Sequence, residues 1–228
     1  MLKDNIKTIQ EELRDTNARL VAISKTKPES LIQEAYDFGQ RVFGENKAQE
    51  LTRKYENLPK DIEWHMVGHL QSNKVKYIAP FVSLIHAVDS FKLLKEINKQ
   101  ASKYDRTIHC LLQIHIAEES TKFGLDHTEL QEILSNNELS ELKNIEVVGL
   151  MGMATNTTNV DKVRNEFRGL RRLFDELAET SLPENVFMKE LSMGMSGDYK
   201  IALEEGSTLI RVGSSIFGER NYALPSTY

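Results

Sequence analysis

Short apolar runs recur along the chain, each followed by a longer stretch with apolar positions three and four apart. The strand-like runs are eight: residues 20–25 (LVAISK), 41–45 (RVFGE), 62–68 (IEWHMVG), 82–88 (VSLIHAV), 107–116 (TIHCLLQIHI), 145–153 (IEVVGLMGM), 187–193 (FMKELSM) and 208–213 (TLIRVG). Helical patterns lie between them. Val160, Val163, Phe167, Leu170, Phe174 and Leu177 form one apolar stripe over residues 159–178. Residues 28–38 carry Pro28 where a first helical turn tolerates it and Gly39 where a helix stops. Residues 1–17 predict an opening helix with Ile6, Ile9 and Leu13 on one face. Shorter or less regular helical stretches follow residues 46, 71, 90, 127 and 197.

Eight strands alternating with helices over this length predict an α/β fold, a (β/α)8 TIM barrel, as a single domain over residues 1–228. The last helix is short, so the extra N-terminal helix is expected to help close the outer ring. An open doubly wound sheet would usually bring a glycine-rich fingerprint after the first strand. That position holds SKTKP, without glycine.

Composition narrows the function. Of the 228 residues, 40% are apolar and 28% charged, with a net charge of −5, which makes no electrostatic case for nucleic acid. No apolar run approaches the ~20 residues that span a membrane. The N-terminal MLKDNIKTIQEEL is charged and helical in pattern, unlike a signal peptide. Cys110 is the single cysteine, which excludes an internal disulfide and a cysteine-based metal site; it reads as a buried strand residue. A cytoplasmic location is expected.

In a barrel, functional groups gather where strands end. Lys25 ends the first run, and an ammonium closing a buried strand is costly unless paired, neutral or covalently used. GEN (44–46) ends the second. Two Gly/Ser-rich segments, LSMGMSGD (191–198) and RVGSSIFG (211–218), close the seventh and eighth, where barrels commonly hold a phosphate. A lysine facing a phosphate cup suggests pyridoxal 5′-phosphate, with an aldehyde for one and a phosphate for the other. GMSG around Ser196 lacks the spacing of a nucleophile elbow. His65 and His69 straddle a strand end and its loop, so they read as core or loop histidines, and no metal site is expected.

Six stretches in order carry a resemblance: AISKTKP, FGENKAQE, EWHMVGHLQSNK, GLMGMA, LSMGMSGDY and STLIRVGSSIFGERNY. The chain resembles the pyridoxal phosphate homeostasis protein family, single-barrel relatives of the alanine racemase barrel, from about residue 20 to residue 222. The resemblance implies that Lys25 carries the internal aldimine and that Lys27 is a solvated loop residue. It places Ser192, Ser196, Gly213 and Ser214 in the segments that hold the phosphate. It sets Arg211 near the pyridine nitrogen, where an arginine cannot give up its proton and leaves the nitrogen unprotonated. Asn46 matches the asparagine of GEN near the cofactor.

The expected function is therefore a pyridoxal phosphate carrier with no catalytic residue, acting as a monomer that buffers the cofactor or hands it to apo-enzymes that use it. An amino-acid racemase of the alanine racemase type is the alternative. Racemases of that kind take one base from a partner's C-terminal β-domain, whereas this chain ends at Tyr228 shortly after the eighth strand run. One cofactor face is then open to water, which disfavours turnover. A lysine aldolase without cofactor is the third possibility, weakened by the Gly/Ser-rich cup together with Arg211.

Overall fold

Eight parallel strands pair in chain order and close on one another as a barrel. The computed structural model describes residues 1–118 and 123–218; the end of the family pattern beyond Gly218, and Tyr228, lie outside the described residues. The strands are β1 (Arg19–Ile23), β2 (Val42–Glu45), β3 (Glu63–Met66), β4 (Leu84–Val88), β5 (Ile108–Ile114), β6 (Ile145–Gly152), β7 (Val186–Met195) and β8 (Leu209–Val212). Closure is made by β1 against β8, with Val21 opposite Arg211. Around them run α1 (Leu2–Leu13), α2 (Glu29–Asp37), α3 (Ala48–Asn57), α4 (Val75–Ile78), α5 (Phe91–Ser102), α6 (His127–Leu134), α7 (Val160–Ala178), α8 (Tyr199–Glu204) and α9 (Ser214–Phe217). The (β/α)8 barrel and its opening helix are thus both present.

Local chemistry starts and stops these elements. The Asn159 side chain accepts the Lys162 backbone N–H at 3.1 Å, and the apolar stripe of α7 follows from that cap. Asp126 and Glu129 form a reciprocal capping box at the start of α6. The α7 stripe is buried from Val163 to Leu177 in the larger apolar layer, between strands and helices, whereas Val160, expected on it, sits at the first turn and is exposed. A smaller cluster made only of strand residues, including Val21, Ile23, Leu111, Met151 and Leu209, fills the barrel. Full burial of each large apolar side chain contributes roughly 1.5–3 kcal/mol.

Gly149 is required where β6 meets β7. Its φ is +151°, and a Cβ there would lie 1.8 Å from the Glu190 carbonyl oxygen. At the other seam α9 is a single turn, and α1 packs beside it. Asn5 Nδ2 donates to the Ile216 carbonyl at 3.0 Å, and the Tyr199 hydroxyl donates to Glu12 at 2.6 Å. The opening helix therefore completes the outer ring.

Candidate functional site

Strand alternation carries one side of β1 from Val21 through Ile23 to Lys25 at the C-terminal mouth. The ladder itself ends at Ile23, two residues earlier than the apolar run suggests. Ser24 and Lys25 leave it in a turn, closed by the Lys27 N–H donating to the Ser24 carbonyl at 3.0 Å. Thr26 takes φ +64° to complete that turn, an unusual conformation for a β-branched residue.

A cavity of about 480 Å³ opens beside this turn, and Lys25, Asn46, Ser196, Arg211, Gly213 and Ser214 all line it. Gly68 makes room for Asn46, since a Cβ at Gly68 would lie 2.6 Å from the Asn46 carbonyl oxygen. The Ser196 hydroxyl oxygen accepts the Gly213 N–H at 3.2 Å and the Ser215 N–H at 3.5 Å. Backbone donors from the loop after β8 and the first turn of α9 thus converge on one oxygen supplied by the loop after β7. Such a set of N–H groups suits an anion.

Arg211 forms part of the cavity lining while its side chain is almost wholly buried. Its guanidinium donates to Ser192 Oγ at 2.6 Å and to the Gly152 carbonyl at 3.2 Å. Burial pushes its pKa down to about 10, which still leaves it charged at neutral pH.

Ser192 departs from its expected place among phosphate-holding residues. It is fully buried and does not line the cavity; its hydroxyl lies beneath, between Arg211 and His86 Nδ1, 2.8 Å from the latter. Ser192 faces inward below the mouth, while Met195 at the end of β7 and Ser196 in the loop beyond it reach the rim. Lys27 also differs from the solvated residue expected. It lines the cavity, and its ammonium donates to the carbonyls of Phe217 (3.1 Å) and Gly218 (2.9 Å), tying the turn after β1 to the end of α9.

Two side-chain groups come together only in the folded barrel, though His65, expected in the core or a loop, is indeed buried. Lys54 from α3, Glu45 from β2 and Glu50 from α3 form an ion cluster behind the Lys25 turn. The Lys54–Glu50 spacing of four was its one visible signal. His86 is fully buried beneath Arg211, with His65 next to it. Both stand in strand runs, where an imidazole between apolar neighbours was the signal. His69 is a loop residue at the cavity, 3.3 Å from Asp89 and stacked on Phe123. Among the described residues no His/Cys/Asp/Glu cluster is arranged to hold a metal, and no helix is long and apolar enough to cross a membrane.

Residues 1–221 match the family model described as alanine racemase, N-terminal domain. The pyridoxal phosphate homeostasis protein of Aquifex aeolicus is 43% identical over 206 residues, 90% of this chain and 88% of that one. This chain belongs to the pyridoxal phosphate homeostasis protein family. The human member is 39% identical over 220 residues, 92% of this chain and 79% of its own. Among solved structures, PipY of Synechococcus elongatus with pyridoxal phosphate bound superposes with a TM-score of 0.85 at 33% identity, covering 96% of this chain and 100% of that one. Alanine racemase from Bartonella henselae shares the barrel at a TM-score of 0.70 and 15% identity, over 96% of this chain and 60% of that one. That second likeness is one of fold.

Proposed function

We propose that this member of the family holds pyridoxal 5′-phosphate at the C-terminal mouth of its barrel through Lys25, and buffers or delivers it without appreciable turnover of an amino-acid substrate. The observation that carries this is one cavity lined by a primary amine, a guanidinium and the loops whose N–H groups converge on Ser196. That donor set fits the group. Bound there, the cofactor would supply an aldehyde, for which Lys25 would be the amine partner. Gly213 N–H and Ser215 N–H, with the hydroxyls of Ser196 and Ser214, would hold the phosphate. Asn46 would flank the cofactor.

Arg211 would meet the ring nitrogen as a donor that keeps its proton. The ring would then be a weak electron sink, which supports holding over turnover. Relatives are named for homeostasis rather than for a reaction, and PipY is a relative solved with the cofactor bound. Apo-enzymes that require the cofactor are the recipients this function implies.

The test is a visible absorption spectrum of the purified protein loaded with pyridoxal phosphate, followed by borohydride reduction and peptide mass mapping. Fragment spectra separate Lys25 from Lys27. A cofactor mass on Lys25 is the expected result; an adduct on Lys27, or none, overturns the assignment.

A further inference from the structure

Five side chains run through the barrel from the floor of the cavity toward its opposite mouth. Arg211 Nη1 donates to Ser192 Oγ at 2.6 Å, and Ser192 Oγ lies 2.8 Å from His86 Nδ1. His86 Nε2 is 2.9 Å from His65 Nδ1, and His65 Nε2 is 3.0 Å from Glu63 Oε1. Glu63 then meets Arg19, at 3.5 Å, at the start of β1. The first four members are buried, and Glu63 is half-buried. They come from β8, β7, β4 and β3, so the chain of contacts exists only in the closed barrel.

The two ends settle where each proton lies. Arg211 can only donate, so Ser192 Oγ accepts from it. Glu63 as a carboxylate can only accept, and the hydrogen bond from His65 holds its carboxyl below the ordinary range. His65 therefore carries its proton on Nε2. A neutral His65 then has a bare Nδ1, which accepts from His86 Nε2–H. His86 in turn has a bare Nδ1, which accepts the Ser192 hydroxyl proton. With both imidazoles neutral, this assignment makes every link a hydrogen bond, and every donor points away from the cavity. Burial lowers both imidazole pKa values, in keeping with neutral rings.

Barrel interiors are ordinarily filled by layers of Val, Ile and Leu. A buried polar chain is tolerable only when every member is satisfied, and then it rigidifies what it touches. We propose that His86 and His65 are positioning residues for Arg211, forming a one-directional hydrogen-bond relay that aims its guanidinium at the cofactor's ring nitrogen and couples it to Glu63 at the far mouth, a role that rests on the cofactor reading above. Ser192 is the link between guanidinium and relay. The relay is built from residues outside the cavity lining, apart from Arg211 itself.

The first test needs no cofactor. Nitrogen-15 NMR of the unmodified protein at neutral pH is expected to show His65 and His86 as neutral Nε2–H tautomers. Either ring as the Nδ1–H tautomer or as a cation overturns the directed relay. The second test uses pyridoxal phosphate. His86→Phe removes the acceptor for the Ser192 proton and is expected to weaken cofactor binding by about tenfold to a hundredfold. Its absorption band is expected to shift while borohydride still fixes the cofactor on Lys25. A folded His86→Phe protein with unchanged affinity and band overturns the positioning role. Glu63→Gln keeps an acceptor for His65 but removes the charge, and is expected to shift the band; an unchanged band overturns the coupling to the far mouth. Should the wild-type protein fail to take the cofactor on Lys25, the proposed function falls, while the tautomer measurement still decides the relay.

Discussion

The Lys54 ammonium sits 2.7 Å from Glu45 Oε1, with both side chains wholly shielded from solvent. The same ammonium donates to the Ser24 carbonyl at 2.7 Å and to Glu50 at 2.8 Å. The Ser24 hydroxyl donates to Glu45 at 2.6 Å, and the Thr26 N–H donates to Glu50 at 2.7 Å. Both chain neighbours of Lys25 are therefore tied to one buried cluster. These bonds hold Thr26 in its left-handed conformation, which costs about 1–2 kcal/mol for an L-residue with a side chain.

Breaking this cluster from one side is expected to be severe. Lys54→Met leaves Glu45 buried without its counter-charge, and urea unfolding should show a loss of about 3–5 kcal/mol. Glu50→Gln removes a partly exposed carboxylate and should lose much less. Equal losses for the two variants would contradict the central place of Glu45.

The cup formed by the loops after β7 and β8 is expected to discriminate for phosphate. Charge-assisted hydrogen bonds are about twice as strong as neutral ones. Pyridoxal without its phosphate should bind at least about tenfold more weakly in a spectrophotometric titration, the effect of ~1.4 kcal/mol. Similar dissociation constants for the two ligands would remove the anion cup from the site.

Stability is expected to fall on mild acidification. Burial lowers His65 and His86 from the ordinary 6.5, and unfolding restores both to water. Below about pH 6.5 the unfolded chain then binds more protons than the folded one. The two imidazoles contribute fully above that pH, and their contribution is lost as pH falls toward their folded-state values. Two protons set a limiting slope of about 2.7 kcal/mol per pH unit. Urea titrations between about pH 7.5 and 5.5 measure it, and His86→Phe should roughly halve it. A slope unaffected by that substitution would mean that His86 is not buried neutral.

Amino-acid turnover is the sharpest discriminator between carrier and racemase. The loaded protein, incubated with L-alanine in deuterated water, is expected to show no Lys25-dependent α-hydrogen exchange at enzyme-like rates of about 1–10³ s⁻¹. Such exchange, absent from Lys25→Ala, would restore the racemase. His69 would then be the first acid–base candidate, since it lines the cavity and pairs with Asp89.

The sequence by itself determined the elements and the rim of the site. Strand and helix periods are local properties, so eight strand runs, the α7 stripe and the opening helix could be read without any long-range contact. The same alternation that buries Val21 and Ile23 points toward Lys25 at the mouth, and the Gly/Ser-rich segments mark two of the loops that line the cavity. Tertiary structure decided what lies beneath. Ser192 and Ser196 are neighbours of like chemistry in one segment, and only the pairing of β7 with β8 sends one under Arg211 and the other to the rim. His86 reaches Ser192 across 106 residues of chain, and Lys54 reaches Ser24 across 30. Contacts of that range have no periodic signature. Which polar partner a buried charge or imidazole takes depends on register and barrel closure, because only there are the groups both desolvated and within hydrogen-bonding distance.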